Sequence, residues 1–193
     1  MAITSVFLMS LTAVAVLAAV YVIGFYNRIV GALNLAKRAW SNVAGWQRKE
    51  LRALELMAEK MGEYAAFERG ALADITRLRE AGERLDDNKI DVSALREAAG
   101  VSSRARAVLD ARREAYPDLQ TGKLYVSYMR EVSECEAQVA AALTVFNRGV
   151  EEYNNTIQMF PNNLLNAAFF RRAKLDEFRD SKAESEFEYR PNF

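Results

Sequence analysis

The chain opens on an apolar run. From Met1 to Asn27 there is no Asp, Glu, Lys or Arg, and Val6–Phe25 holds only Ser10 and Thr12 as small polar side chains. At about 1.5 Å per residue, such a run makes roughly 30 Å of helix, the thickness of a bilayer's hydrocarbon core. The pattern predicts a transmembrane anchor over residues 1–27, with Val6, Leu8, Leu11, Val16, Val20 and Phe25 embedded in lipid. Beyond Asn27 the apolar residues recur every seven. One series is Tyr26, Leu33, Trp40, Leu54, Met61 and Ile75; a second is Ile29, Ala36, Val43, Met57, Tyr64, Ala71, Leu78 and Leu85. Gln47, Glu50 and Glu68 interrupt them. Alternating steps of three and four place these residues on one helix face, the pattern of a bundle or coiled-coil seam.

Turn residues Asp86-Asp87-Asn88-Lys89 end this pattern, and Asp91 or Ser93 is placed to cap a helix over 94–115. Pro117 disfavours helical geometry at Tyr116. A long helix is predicted over 119–157, with Tyr125, Val132, Val139, Phe146 and Tyr153 seven apart and Met129, Leu143, Val150 and Ile157 as a second row. Pro161 stops it, and a last helix is expected over 163–181. No segment alternates as a strand, so the fold class is all-α: a transmembrane helix running into an antiparallel four-helix bundle over 28–183, followed by a tail over 184–193. Two arrangements compete for the first half. The unbroken heptad phase through 62–70 favours one helix from 28 to 86, which we expect; a turn near Gly62 would instead give up-and-down packing and return the segment after Phe160 to the membrane.

A secretory signal would begin with basic residues and carry a shorter apolar run. The single Ala13-Val14-Ala15 match lies inside the run, so an uncleaved anchor is expected. Arg28, Lys37, Arg38, Arg48 and Lys49 follow the span with no acidic residue between them. By the positive-inside rule the C-terminal part is expected to face the cytoplasm, with the opposite orientation as the alternative. Lys and Arg together number 26, as do Asp and Glu, which gives no reason to expect nucleic acid as a partner. One cysteine makes no internal disulfide; Cys135 falls on a helix stripe between apolar neighbours and is expected to be a core thiol.

The chain has no histidine. That removes imidazole base catalysis, His-activated nucleophiles and His metal ligands. There is also no phosphate-binding glycine loop and no cysteine cluster, so no catalytic residue, cofactor or metal is assigned. Glu131, Glu134 and Glu136, with Glu50 and Glu68, are expected to be solvated rather than metal ligands. Two other patterns are candidates for contact. Asn27, Asn34 and Ser41 are seven apart, as are Asn147 and Asn154; Asn27, Asn34, Asn147 and Asn154 are candidates for a polar ladder between helices. Leu164, Leu165, Phe169 and Phe170 precede Arg171, Arg172 and Lys174, which suits an interfacial helix on anionic lipid or a helix docking on a partner.

Several strings together resemble the LemA family: Tyr26-Asn27-Arg28-Ile29-Val30, Ala39-Trp40-Ser41-Asn42-Val43, Tyr116-Pro117-Asp118-Leu119, Phe146-Asn147-Arg148-Gly149-Val150-Glu151-Glu152-Tyr153-Asn154 and Phe160-Pro161-Asn162-Asn163-Leu164. The resemblance implies a bacterial, single-pass protein of the cytoplasmic membrane with a helical bundle and no established biochemical activity. An Ile-Pro-Asn-Leu-Val element common in that family is missing near Ala53–Met61, where this chain has no proline. The expected partners are membrane lipid, further copies of the chain in a homo-oligomer, and an unidentified cytoplasmic protein. The expected role is a non-enzymatic membrane-bound scaffold or organiser, with recruitment or lipid sensing through residues 161–174 as the alternative.

Overall fold

The computed structural model describes residues 2–64, 69–115 and 123–179. Five α-helices follow in order: α1 (Ala2–Tyr64), α2 (Arg69–Glu83), α3 (Val92–Ala115), α4 (Lys123–Gln158) and the short α5 (Asn162–Leu165), which passes into a π-helical turn over Asn166–Phe170. No strand occurs among the described residues. The tail 184–193 and the Tyr116-Pro117-Asp118-Leu119 turn lie outside the described residues.

The chain divides into two compact units. The first joins Met1–Ala36 to Arg148–Leu175; the second joins Lys37–Asn147 to Asp176–Phe193. In the first unit, α1 begins as a helix whose side chains face outward from Ile3 to Tyr21. Its polar groups turn back on the helix: Ser10 donates to the Phe7 carbonyl at 2.8 Å, and Thr12 to the Met9 carbonyl at 2.9 Å. That leaves few polar atoms for an apolar surrounding to reject. A core begins at Phe25, where Ile29 and Ala32 of α1 pack with Tyr153 and Ile157 of α4. The buried residue at the start of this core is Phe25, while Tyr26, the seam position expected from the heptads, is exposed. The two helix segments run antiparallel and come close at Gly149, where a Cβ would stand 3.1 Å from the Ala36 backbone.

The second unit is an antiparallel four-helix bundle of α1, α2, α3 and α4. Trp40 packs on Phe146 with ring centroids 5.5 Å apart. Val43, Leu51, Leu54 and Met57 of α1 are buried with Leu78, Leu95, Val132 and Cys135. The heptad rows of α1 and α4 supply Trp40, Val43, Leu54, Met57, Val132, Val139 and Phe146 to this core, and the rest comes from between the rows and from α2 and α3. Asp91 caps α3, its Oδ1 accepting from the Ala94 amide at 3.0 Å and from the Ser93 hydroxyl at 2.6 Å.

The expected helix from 28 to 86 is not formed. In a continuous helix, residues 55 and 79 would stand about 36 Å apart. Instead the Arg79 guanidinium donates to the Glu55 carboxylate at 2.5 and 2.9 Å. α2 therefore runs back along α1. Heptad phase is kept across the reversal because α1 and α2 each need one apolar face, which does not demand one helix. The connection from α2 to α3 is held by α1: Trp40 Nε1 donates to the Asp86 carbonyl at 2.8 Å, and Arg48 donates to the Leu85 carbonyl at 2.6 Å and to the Asp87 carboxylate at 2.6 and 2.7 Å.

The last helix also differs from expectation. Helical structure ends at Phe170, not near Ser181, because Arg171 adopts left-handed geometry (φ 49°, ψ 38°). Residues 171–179 continue without helix or strand, held by asparagine side chains. Each amide brackets one residue, accepting from its N–H and donating to its carbonyl: Asn166 on Arg172 (2.9 and 3.1 Å), Asn154 on Leu175 (3.0 and 2.9 Å) and Asn147 on Phe178 (2.9 and 2.8 Å).

Candidate membrane-interface site and polar cavity

The first unit gathers aromatic and apolar side chains where the uncharged run ends. The Tyr21 hydroxyl donates to Asn162 Oδ1 at 2.7 Å. Phe170 meets the edge of Phe25 at 5.6 Å between centroids and stacks on Tyr26 at 5.8 Å. These contacts bring the segment after α4 back to the last turns of the predicted span. Of the residues singled out by sequence, Leu165 and Phe170 turn inward toward this core, whereas Leu164 and Phe169 face outward with Arg171, Arg172 and Lys174. Met159, which the sequence reading passed over, and Phe160, noted only within the Phe160-Pro161 string, are exposed on the same segment. As contact residues their sequence signal is an apolar pair directly before Pro161. Val6, Leu8, Leu11, Val16 and Val20 are all exposed, while Phe25 is buried in the first unit's core.

The expected polar ladder between helices does not form within the chain. Asn27 and Asn34 are exposed, and Asn147 and Asn154 are engaged with the backbone of residues 178 and 175. Among the described residues no three acidic or cysteine side chains gather as metal ligands. Cys135 is buried, and burial pushes its thiol above its usual range.

In the second unit, a cavity of about 540 Å³ opens between α1, α3 and α4 beside Phe178 and Arg179. Gln47, Glu50 and Ser102, all buried, form one polar wall. The Glu50 carboxyl accepts from Gln47 Nε2 at 3.0 Å and pairs with the Ser102 hydroxyl. Arg106 and Glu136 form an ion pair on the same lining. Burial raises the Glu50 pKa above its ordinary 4.5, outweighing the hydrogen bonds from Ser102 and Gln47, and the Glu136 charge adds to the rise. Glu55, five residues further along α1, is as deeply buried and has the opposite fate. Burial would raise it too, but Arg52 and Arg79 hold it below the usual carboxylate range.

Glu50 therefore binds its proton more tightly folded than unfolded. The stability it contributes is fully present below pH 4.5 and is lost as the pH rises through the folded value. Glu50→Gln keeps the shape and the hydrogen bonds without the buried charge. Its thermal midpoint should match that of the unaltered protein in acid and exceed it at pH 8; a lower midpoint at pH 8 would mean that the fold depends on the ionised carboxylate.

An all-helical chain with one N-terminal helix long and apolar enough to cross a membrane defines the class of protein. The LemA family model matches residues 39–190, most of the chain but not its apolar run. The chain belongs to the LemA family. It is also similar to the Protein LemA of Metamycoplasma hominis, at 25% identity over 161 residues, covering 80% of this chain and 72% of that protein. No solved structure matches it.

Proposed function

We propose that this protein is a non-enzymatic, single-pass scaffold of the bacterial cytoplasmic membrane, with its bundle in the cytoplasm, and that copies associate into a membrane-bound organiser. The observation that carries the reading is α1. One helix from Ala2 to Tyr64 supplies both an apolar stretch without cover from its own chain and a core helix of the bundle. Such a stretch is covered by lipid or by another copy. The absence of histidine from the sequence supports a role without imidazole chemistry. The five cations between Arg28 and Lys49 support the cytoplasmic orientation. The test is particle mass in mild detergent: an assembly of several chains is expected, and a strict monomer at all concentrations would overturn self-association. A second reading is favoured by exposed Leu164 and Phe169 beside Arg171, Arg172 and Lys174: a module that senses anionic lipid or recruits a cytoplasmic partner through residues 161–174.

A further inference from the structure

The first unit carries an exposed apolar apron that its own core leaves uncovered. Phe160 is 79% exposed, Phe169 72%, Leu164 60% and Met159 58%. Large apolar side chains do occur singly on protein surfaces, but four on one short segment make a patch that needs an occupant. Three observations identify the occupant. First, the apron is fixed beside the end of the apolar run by the Tyr21–Asn162 hydrogen bond and by the packing of Phe170 on Phe25 and Tyr26. Tyr21, Phe25 and Tyr26 close the run of uncharged residues, the level at which aromatic side chains meet lipid headgroups. Secondly, between Met159 and Lys174 the charged residues are Arg171, Arg172 and Lys174, with no acid among them, and all three are exposed. Cations at that depth favour an anionic leaflet. Thirdly, the segment keeps helical geometry from Asn162 to Phe170, so its backbone groups are largely satisfied internally, as an interfacial position demands.

We propose that Met159, Phe160, Leu164 and Phe169 insert into the headgroup–acyl boundary of an anionic leaflet, with Arg171, Arg172 and Lys174 on the lipid phosphates. The segment is thus a second contact with the membrane, built from the far end of the chain. The proposal rests on the reading of α1 as a membrane span. It differs from an interfacial helix over 161–174 in two ways: Met159 and Phe160 join the contact, and Leu165 and Phe170 are taken out of it, because they face the protein's own core.

The test uses the full chain reconstituted in vesicles, with a single environment-sensitive fluorophore on an introduced cysteine. Buried Cys135 is replaced by Ala throughout. Reporters at Phe160→Cys and Phe169→Cys are compared with Lys89→Cys in the second unit and Val16→Cys in the predicted span. Nitroxide-bearing lipid is the quencher, and vesicles are either phosphatidylcholine alone or phosphatidylcholine with phosphatidylglycerol. At positions 160 and 169 we expect quenching at least threefold above that at position 89, deepening with phosphatidylglycerol. The triple variant Arg171→Gln, Arg172→Gln, Lys174→Gln should remove that deepening. Quenching at 16 without quenching at 160 or 169 overturns the apron and leaves its surface to a protein partner. Quenching at 160 and 169 that ignores phosphatidylglycerol overturns the anionic part. A reporter at 16 that is itself unquenched shows instead that the span reading has failed.

Discussion

Trp40→Ala should lower the thermal midpoint of the protein by roughly 6–20 °C. The side chain is fully buried, its ring packs against Phe146, and its indole N–H satisfies the Asp86 carbonyl at 2.8 Å. Truncating a buried tryptophan typically costs about 3–5 kcal/mol. In a chain of this size each kcal/mol moves the midpoint by about 2–4 °C. The change also strips the α2–α3 connection of one of its ties to α1, leaving Arg48 to hold it alone from that helix. Trp40→Phe separates the two effects. It keeps most of the packing and loses the hydrogen bond, at a net cost of about 1 kcal/mol from that bond. Circular dichroism of the detergent-solubilised protein measures both, and an Ala variant melting within 2 °C of the unaltered protein would overturn the assignment of Trp40 as the bundle's anchor.

Gly149→Val should destabilise the first unit by about 1–3 kcal/mol, the usual cost of overfilling a packed contact. A Cβ at 149 would lie 3.1 Å from both Cα and N of Ala36. Those atoms belong to a helix backbone and cannot step aside as the end of a flexible side chain would. Glycine within a helix is ordinarily a weakness of about 1 kcal/mol relative to alanine. Here that weakness is offset by the close approach of α1 and α4. Gly149→Ala therefore tests the balance: its helix-propensity gain is expected to be cancelled by the tight contact, giving little net change. Amide exchange near Tyr153 and Ile157 reads the effect locally, and a valine variant with unchanged protection there would contradict the close packing.

The heptad rows made the bundle's core legible before any coordinates. Trp40, Val43, Leu54 and Met57 on α1, and Val132, Phe146, Val150 and Ile157 on α4, are buried where the spacing put them. The reversed course of α2 stood only as the alternative, a turn near Gly62, because a periodic apolar face records that a helix has a covered side, not which chain segment covers it. At Gln47 and Glu50 the rows were interrupted, yet both residues are buried. Glu50's partner Ser102 lies 52 residues away, and no local pattern announces such a meeting. The apron was half legible. Leu164, Phe169 and the three cations stood out as a cluster, but the inward turn of Leu165 and Phe170 and the exposure of Met159 and Phe160 depend on where the backbone leaves α4. The asparagines at 147 and 154 stood out by their period, but within the chain they meet non-helical backbone at 178 and 175 and no other helix. Helical residues 171–179 would have hidden their backbone amides; the left-handed residue Arg171 is what leaves that backbone open to side-chain amides.

Those amides set different tolerances along the chain. Asn147, Asn154 and Asn166 each offer one donor and one acceptor to the backbone C=O and N–H of a single residue, and none of these bonds depends on the side chain of residue 172, 175 or 178. Over evolutionary time those three positions are free of the ladder's demands and answer only to their own packing. The asparagines have no such latitude. Aspartate, the product of spontaneous asparagine hydrolysis, would put an oxygen where the side-chain NH₂ now meets a carbonyl oxygen, adding charge and removing a donor. Chemical ageing of three side chains would therefore loosen a segment whose own covalent structure is unchanged.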